Sequence, residues 1–331
     1  MKAFTRLAAS LAAAFVAIFV LLQPVSAQQA PRPTDQSVKE QQLLDALRAG
    51  GSVSGRASIP DQRASNLIQP EGRTWTDFRK STLTTVGAVA ILGMLILLGI
   101  FFAVRGRIKI DHGFAGRTIT RFASFDRFVH WVTATCFIIL ALSGLNITFG
   151  RALIEPVIGE SAFGSLSALG KLAHNYLAFP FMAGVVLMFL IWVKDNIPNK
   201  LDLEWIKAGG GILKKGVHPP AKRFNAGQKG IFWIVVIGGA LMSISGWYLL
   251  FPTESISDLQ FHVLLHGVVA MIFIAVMIAH IYIGSIGMEG AFDAMGSGQV
   301  DVNWAREHHS EWLSEEEQKA RKAPPGAVPA Q

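Results

Sequence analysis

From residue 82 onward the chain alternates long apolar stretches with polar connections. Five stretches, 82–104, 126–149, 171–193, 230–251 and 261–287, each approach the ~20 residues needed to cross ~30 Å of hydrocarbon. None alternates polar and apolar residues with a period of two, so each is expected to be a helix, the element that satisfies its own backbone hydrogen bonds in lipid. Upstream, Lys2 and Arg6 precede an apolar run from Leu7 to Leu22 that Gln23-Pro24 ends short of spanning length. Val25-Ser26-Ala27 has the small residues of a cleavage site, so residues 1–27 read as a signal peptide. Residues 28–81 are polar, with Pro, Gln, Ser and Gly mixed in, and read as a loose extracytoplasmic segment. Within it, residues 38–48 fit one short helix, with Ser37 and Glu40 at capping-box spacing and Gly50-Gly51 as its stop.

Composition strengthens the membrane assignment. The 331 residues are 51% hydrophobic and 16% charged, where a soluble domain has roughly 25% charged. Mean hydropathy is +0.40, which excludes a disordered chain. The formal charge of +7 does not point to nucleic acid, because the basic residues sit in connections between apolar stretches. Those connections orient the chain. Residues 105–121 hold Arg105, Arg107, Lys109, Arg117 and Arg121 against Asp111, and residues 194–229 hold eight Lys/Arg against Asp195, Asp202 and Glu204. Residues 252–260 have no base and residues 150–170 only Arg151. The positive-inside rule places 105–121, 194–229 and the tail in the cytoplasm, in agreement with an exported N-terminal segment. Arg79-Lys80 run against this, a local bias that a cleaved signal upstream overrides. Cys136 is the only cysteine, so the chain has no intrachain disulfide, no Cys-rich zinc or iron–sulfur site and no C-x-x-C-H for covalent haem.

The histidines carry the chemistry. Of nine, His130, His174, His266 and His280 lie within the apolar stretches, where ionisable residues are rare and mark function. His266 and His280 share the last stretch, 14 residues apart. That is about 40° short of four full turns and about 21 Å along a helix. Both imidazoles face one side, one near each membrane surface, which is too far apart for one zinc ion and suited to two separate cofactors. Depth pairs His130 with His280 near the cytoplasmic surface and His174 with His266 near the outer one. Two bis-histidine sites suit two b-type haems, which with both axial positions filled carry electrons rather than bind oxygen. His262, one turn before His266, sits at the membrane edge and reads as interfacial; His112, His218, His308 and His309 read as solvated. Ser143-Gly144, Ser245-Gly246 and Gly267 would either make room for flat macrocycles or pack helices closely. Trp131, Trp192, Trp233 and Trp247 lie near stretch ends and read mostly as belt residues.

Residues 122–312 resemble the gamma subunit of respiratory formate dehydrogenase, a dihaem cytochrome b of four helices. The matching pieces are Asp126-Arg127-Phe128-Val129-His130-Trp131, Ala141-Leu142-Ser143-Gly144, Asn196-Ile197-Pro198, Asn225-Ala226-Gly227-Gln228-Lys229, Leu264-Leu265-His266, Ala279-His280-Ile281-Tyr282, Trp304-Ala305 and His308-His309. The resemblance implies that His130, His174, His266 and His280 ligate two haem b groups. It also implies a quinone, menaquinone or ubiquinone, at Asn225, Gly227, Gln228 and His280. Read by itself, Asn225 is an N-cap for the next helix. The implied partners are a catalytic alpha subunit, which holds the formate active site, and an iron–sulfur beta subunit. The histidine spacing also fits the cytochrome b of nickel–iron hydrogenases or of another periplasmic oxidoreductase. A histidine-relay transporter is a rival of another class, but the chain shows no convincing inverted repeat.

The expectation is an all-α membrane protein: signal peptide 1–27, periplasmic segment 28–81, an extra transmembrane helix 82–104, cytoplasmic loop 105–121, a four-helix transmembrane haem-binding bundle over 122–290, and cytoplasmic tail 291–331. Its place is the bacterial inner membrane. A reporter fused after Gln331 should report cytoplasm; an exported reporter would invert the topology.

Overall fold

The computed structural model describes residues 72–252 and 255–322, together with residues 42, 45, 48 and 49. The signal peptide and most of the polar segment lie outside the described residues; Gln42, Asp45 and Arg48 of the expected short helix are helical. The architecture is predominantly helical, with five helices long and apolar enough to cross a membrane. They are α1 (Thr84–Arg105), α2 (Ser124–Leu153), α3 (Glu160–Trp192), α4 (Ala226–Leu250) and α5 (Ile256–Tyr282). The helical turns of Gly72–Asp77 and Phe78–Leu83 lead into α1. Helix α2 packs on α3, α3 on α4, and α4 on α5.

The third apolar stretch is longer than its hydropathy suggests. Helix α3 begins at Glu160 rather than near residue 171, so the expected outer loop 150–170 shrinks to a short helix, Glu155–Ile158, between α2 and α3. Residues 160–170 are mostly small and polar, which hides them from a hydropathy window but leaves helix formation open. Gly159, at φ 83°, breaks the chain direction just before them.

The extra helix α1 is part of the bundle, packed on α5. A Cβ at Gly87 would sit 2.8 Å from the Met271 side chain, and one at Gly267 would sit 2.9 Å from Leu83. Gly267 is therefore a close-packing residue, receiving a side chain from the turn that leads into α1.

At the end of the bundle where α2 and α4 begin, the connections fold into a cap. Strand β1 (Thr118–Thr120) pairs antiparallel with β2 (Gln299–Asp301), Ile119 opposite Val300. Helices α6 (Val302–His308) and α7 (Ser310–Lys322) follow. The expected loop 105–121 and tail 291–331 are thus one folded layer over the described residues, not free segments. Two three-residue strands carry too little alternation to be seen in the sequence. Val300, Trp304, Ala305, Trp312 and Leu313 are buried in one cluster with Phe122 and Phe224 of the loops, Val129 of α2, and Met188 and Trp192 of α3. Three of the tryptophans read as belt residues fasten this layer instead. Trp192 donates to Asp126 at 2.7 Å, Trp131 to the Met295 carbonyl at 2.8 Å and Trp233 to the Asn196 carbonyl at 3.0 Å. Trp247 is exposed.

The tail histidines also depart from expectation. His309 is fully buried, its Nδ1 2.7 Å from the Lys222 carbonyl and its Nε2 3.0 Å from Arg121 Nη2. The first contact fixes the tautomer: Nδ1 donates, and Nε2 accepts from the guanidinium. His308 is partly buried, His218 pairs with Asp111 at 3.0 Å, and only His112 is largely exposed, its Nδ1 2.8 Å from Glu307. Burial, reinforced by the Arg121 charge, pushes the His309 imidazolium well below its ordinary range.

A depressed histidine pKa in the folded state means that the unfolded chain binds a proton which the folded cap rejects. Cap stability is therefore full above the ordinary imidazole pKa, about 6.5, and falls as pH drops below it. Amide protection over residues 299–313, corrected for intrinsic exchange, should decline from pH 7.5 to pH 5. In His309→Gln, which can keep both hydrogen bonds, the decline should be shallower.

Candidate functional site

Helix α5 presents His266 and His280 to one side, and α2 and α3 bring one histidine to each. His130 lies two turns into α2 and His280 two residues before the end of α5, both at the capped end. Their ring centres are 6.4 Å apart with planes at 61°. Toward the other end, His174 of α3 and His266 are 6.2 Å apart at 60°. His262 joins neither pair: it stacks on Tyr248 with centres 4.3 Å and planes 10° apart.

The second pair is held by matching hydrogen bonds. Ser143 Oγ lies 2.7 Å from the Ile139 carbonyl and 2.8 Å from His174 Nδ1. Ser245 Oγ lies 2.7 Å from the Leu241 carbonyl and 2.9 Å from His266 Nδ1. A hydroxyl has one proton, and here the carbonyl four residues back receives it. The oxygen then accepts from Nδ1–H, so each imidazole keeps its lone pair on Nε2, the tautomer a metal ligand needs. Gly144 and Gly246 lie directly against the same rings: a Cβ would be 3.6 Å from His174 and 3.3 Å from His266. The two Ser-Gly pairs therefore both orient and make room. Sequence reasoning saw the small residues but missed the hydroxyl as an orienting group; its signal was the repeated Ser-Gly at matching depth.

At the capped end, His130 Nδ1 is buried with no hydrogen-bond partner among the described residues, and the ring meets Trp131 edge-on at 5.2 Å. Asp126, one turn earlier, caps α2 through the Ala123 N–H at 3.0 Å and accepts from Trp192. Arg223 stands 3.7 Å from it. Between the two histidine levels lies an aromatic layer. Phe137 meets Phe273 at 5.0 Å and Phe181 at 6.3 Å. Each phenylalanine is seven residues from a paired histidine on its own helix.

These pairs fit a metal that brings its own equatorial ligands. Two imidazole nitrogens on opposite sides of one ion, each bond about 2 Å, put ring centres about 6 Å apart, as in both pairs. Among the described residues no group of three or more His, Cys, Asp or Glu is placed to hold an ion by itself. A porphyrin iron, by contrast, asks the chain only for axial ligands.

The loop before α4 lies at the capped end, as His280 does. Asn225 is the N-cap: its Oδ1 accepts from the Gln228 N–H at 3.0 Å, and Gln228 Oε1 accepts from the Asn225 N–H at 3.2 Å. The cap uses only the amide oxygens, so the two NH₂ groups stay available as donors. Gly227 faces Trp205, whose ring would lie 2.9 Å from a Cβ. Buried Lys229 bonds Asp202 at 2.9 Å and the Ile197 carbonyl at 3.0 Å, pinning helix Lys200–Lys207 beneath the loop.

Residues 121–298 match the protein family described as prokaryotic cytochrome b561. Relatives include the cytochrome b556(fdo) subunit of formate dehydrogenase from Escherichia coli K12. It is 32% identical over 203 residues, covering 60% of this chain and 93% of the relative. The nitrate-inducible cytochrome b556(Fdn) subunit from the same strain is 27% identical over 217 residues, covering 62% and 95%. The formate dehydrogenase cytochrome b556 subunit of Haemophilus influenzae is 26% identical over 205 residues, covering 60% and 83%.

Proposed function

The chain belongs to the prokaryotic cytochrome b561 family, and we propose that it is the membrane cytochrome b subunit through which a formate dehydrogenase delivers electrons to quinone. The observation that carries this reading is the pair of two-imidazole levels, 6.2 and 6.4 Å between ring centres, on one face of α5. His174 and His266 hold one b haem, His130 and His280 the other. Bound there, haem supplies one-electron transfer between an electron donor on one side of the membrane and quinone on the other.

The chain's own groups set the conditions. Ser143 and Ser245 fix the ligand tautomers at the outer level. The phenylalanine layer keeps the space between levels apolar. Asn225 and Gln228 present amide N–H groups to a quinone carbonyl beside His280, while their oxygens keep α4 capped. The basic loops support a cytoplasmic capped end, from which quinone takes its protons. Electrons enter from the iron–sulfur beta subunit on the periplasmic side; formate is oxidised on the alpha subunit. Each electron moved inward works against the membrane potential by ~2.3 kcal/mol per 100 mV, so turnover charges the membrane.

The purified chain should give a reduced-minus-oxidised b-type spectrum and a pyridine haemochrome count of two per chain. His174→Ala or His266→Ala should remove one haem and leave the other; absence of haem in the folded wild type would overturn the reading. Asn225→Asp separates the two roles of that residue: it keeps the capping oxygen, worth ~1 kcal/mol, and removes the NH₂ donor. Haem content and thermal stability should hold while quinone reduction slows by about ten-fold. Unchanged quinone kinetics would return Asn225 to capping alone.

A further inference from the structure

Four buried polar nitrogens in the cap, two of them on a guanidinium that lies over the Phe122, Trp304 and Trp312 rings, have no hydrogen-bond partner among the described residues. They are Arg121 Nε and Nη1, Trp304 Nε1 and His308 Nε2. Arg121 is 3% and Trp304 2% exposed, so bulk water does not satisfy them. They are also close together. The guanidinium carbon is 5.3 Å from the Trp304 ring centre, and the His308 ring is 5.2 Å from the same ring. Buried groups of this kind are satisfied by ordered water, which needs two to four polar partners at a site.

This cluster has a polar group at each end. Toward solvent, the His308 ring lies 6.4 Å from that of His218, which pairs with Asp111 at 3.0 Å. The Asp111 N–H donates to Glu307 at 2.9 Å, and Glu307 accepts from the largely exposed His112. Inward, Arg121 Nη2 contacts His309 Nε2 at 3.0 Å, the Arg223 carbonyl at 2.5 Å and Gln228 Oε1 at 3.5 Å. The arginine thus draws the Gln228 oxygen toward itself and turns its NH₂ away.

We propose that the cap is a hydrated proton-entry path for the quinone, running from Asp111–His218 and His112–Glu307 at the surface, through His308, to waters held by Arg121 beside Gln228. The proposal rests on the quinone reading above. Reduction of a quinone needs two electrons, supplied by formate oxidation, and two protons. Each quinone carbonyl oxygen gains an O–H bond. Each proton leaves a relay N–H or water O–H, which is refilled from bulk water at the capped surface. His308 suits the relay step because it can accept on one ring nitrogen and release from the other. The charged and titratable groups around it are Glu307 and His309 on its own segment, Asp111 and His112 from the loop before β1, Arg121 after β1, and His218 from the loop before α4. Arg121 stays charged and acts as a positioning residue for water and for Gln228.

The test uses the whole formate dehydrogenase complex in proteoliposomes, with a short-chain menaquinone or ubiquinone analogue as acceptor. Two half-reactions are followed: haem reduction by formate without quinone, and quinol formation with it, from pH 6 to pH 9. In His308→Gln, haem count and haem reduction by formate should match wild type, while quinol formation should slow by at least about ten-fold above pH 7. Added imidazole should restore part of the rate. Asp111→Asn, a surface change, should show a smaller loss of the same shape and covers the case in which His308→Gln disturbs the cap. Quinol formation equal to wild type in both variants across the pH range would overturn the proposal. Wild-type complex that reduces its haems but no quinone would overturn the quinone reading itself, and the proposal with it.

Discussion

One helix, α5, carries an imidazole at each of two depths, and the rest of the bundle is arranged around that fact. An imidazole inside a bilayer is expensive unless something engages its nitrogens. Because His266 and His280 are about 21 Å apart along the axis, no single neighbour serves both. Helix α2 supplies the partner at one depth and α3 the partner at the other. Each contributes the same local pattern, a histidine with a phenylalanine seven residues on, and α5 places Phe273 midway between its two histidines. The aromatic layer and the two polar levels are therefore consequences of one register shared by three helices. Helix α1 and the turn before it close the other side of α5, with Leu83 of that turn against Gly267, the residue next to His266.

The capped end is built on a different principle. There the chain buries charge, and hydrogen bonds from neighbouring segments hold Glu307 and His309 in place. Burial alone would raise the Glu307 carboxyl, but hydrogen bonds from the His112 ring and from the His112 and Asp111 backbone hold it below its ordinary range. Burial lowers Arg121 to about 9, with Arg223 adding to the effect. Burial likewise lowers His308 to about 4; Glu307 and Asp111 oppose that shift, and His218 and Arg121 reinforce it. The apolar cluster around Trp304 is continuous with Val129, one residue before His130. The cap and the His130–His280 level are thus mechanically joined, and a change in one reaches the other through packed side chains.

Much of the site was legible in the chain. The four histidines stood out because charge-capable residues are rare in apolar stretches, and helical periodicity alone put His266 and His280 on one face. Asn225 was legible as a cap. What escaped was whatever depends on contacts between distant segments. Ser143 and Ser245 looked like small packing residues until the α2–α3 and α4–α5 contacts put their hydroxyls on His174 and His266. His309, polar and near the end of the chain, looked solvated; its burial depends on Arg121 and Lys222, 188 and 87 residues away in sequence. The 160–170 segment was missed because hydropathy measures lipid solubility, whereas helix formation needs only a compatible backbone.

The sequence by itself determined the number of spanning helices, their helical character and the two depths at which imidazoles occur, because these follow from hydrophobic length and from a fixed rise and rotation per residue. Only the tertiary structure decided how close the imidazoles come, which nitrogen of the His174 and His266 rings stays free, and that the loop and tail fold into one polar-cored cap. Those depend on side chains from separate helices meeting within hydrogen-bond distance, a condition no local pattern encodes.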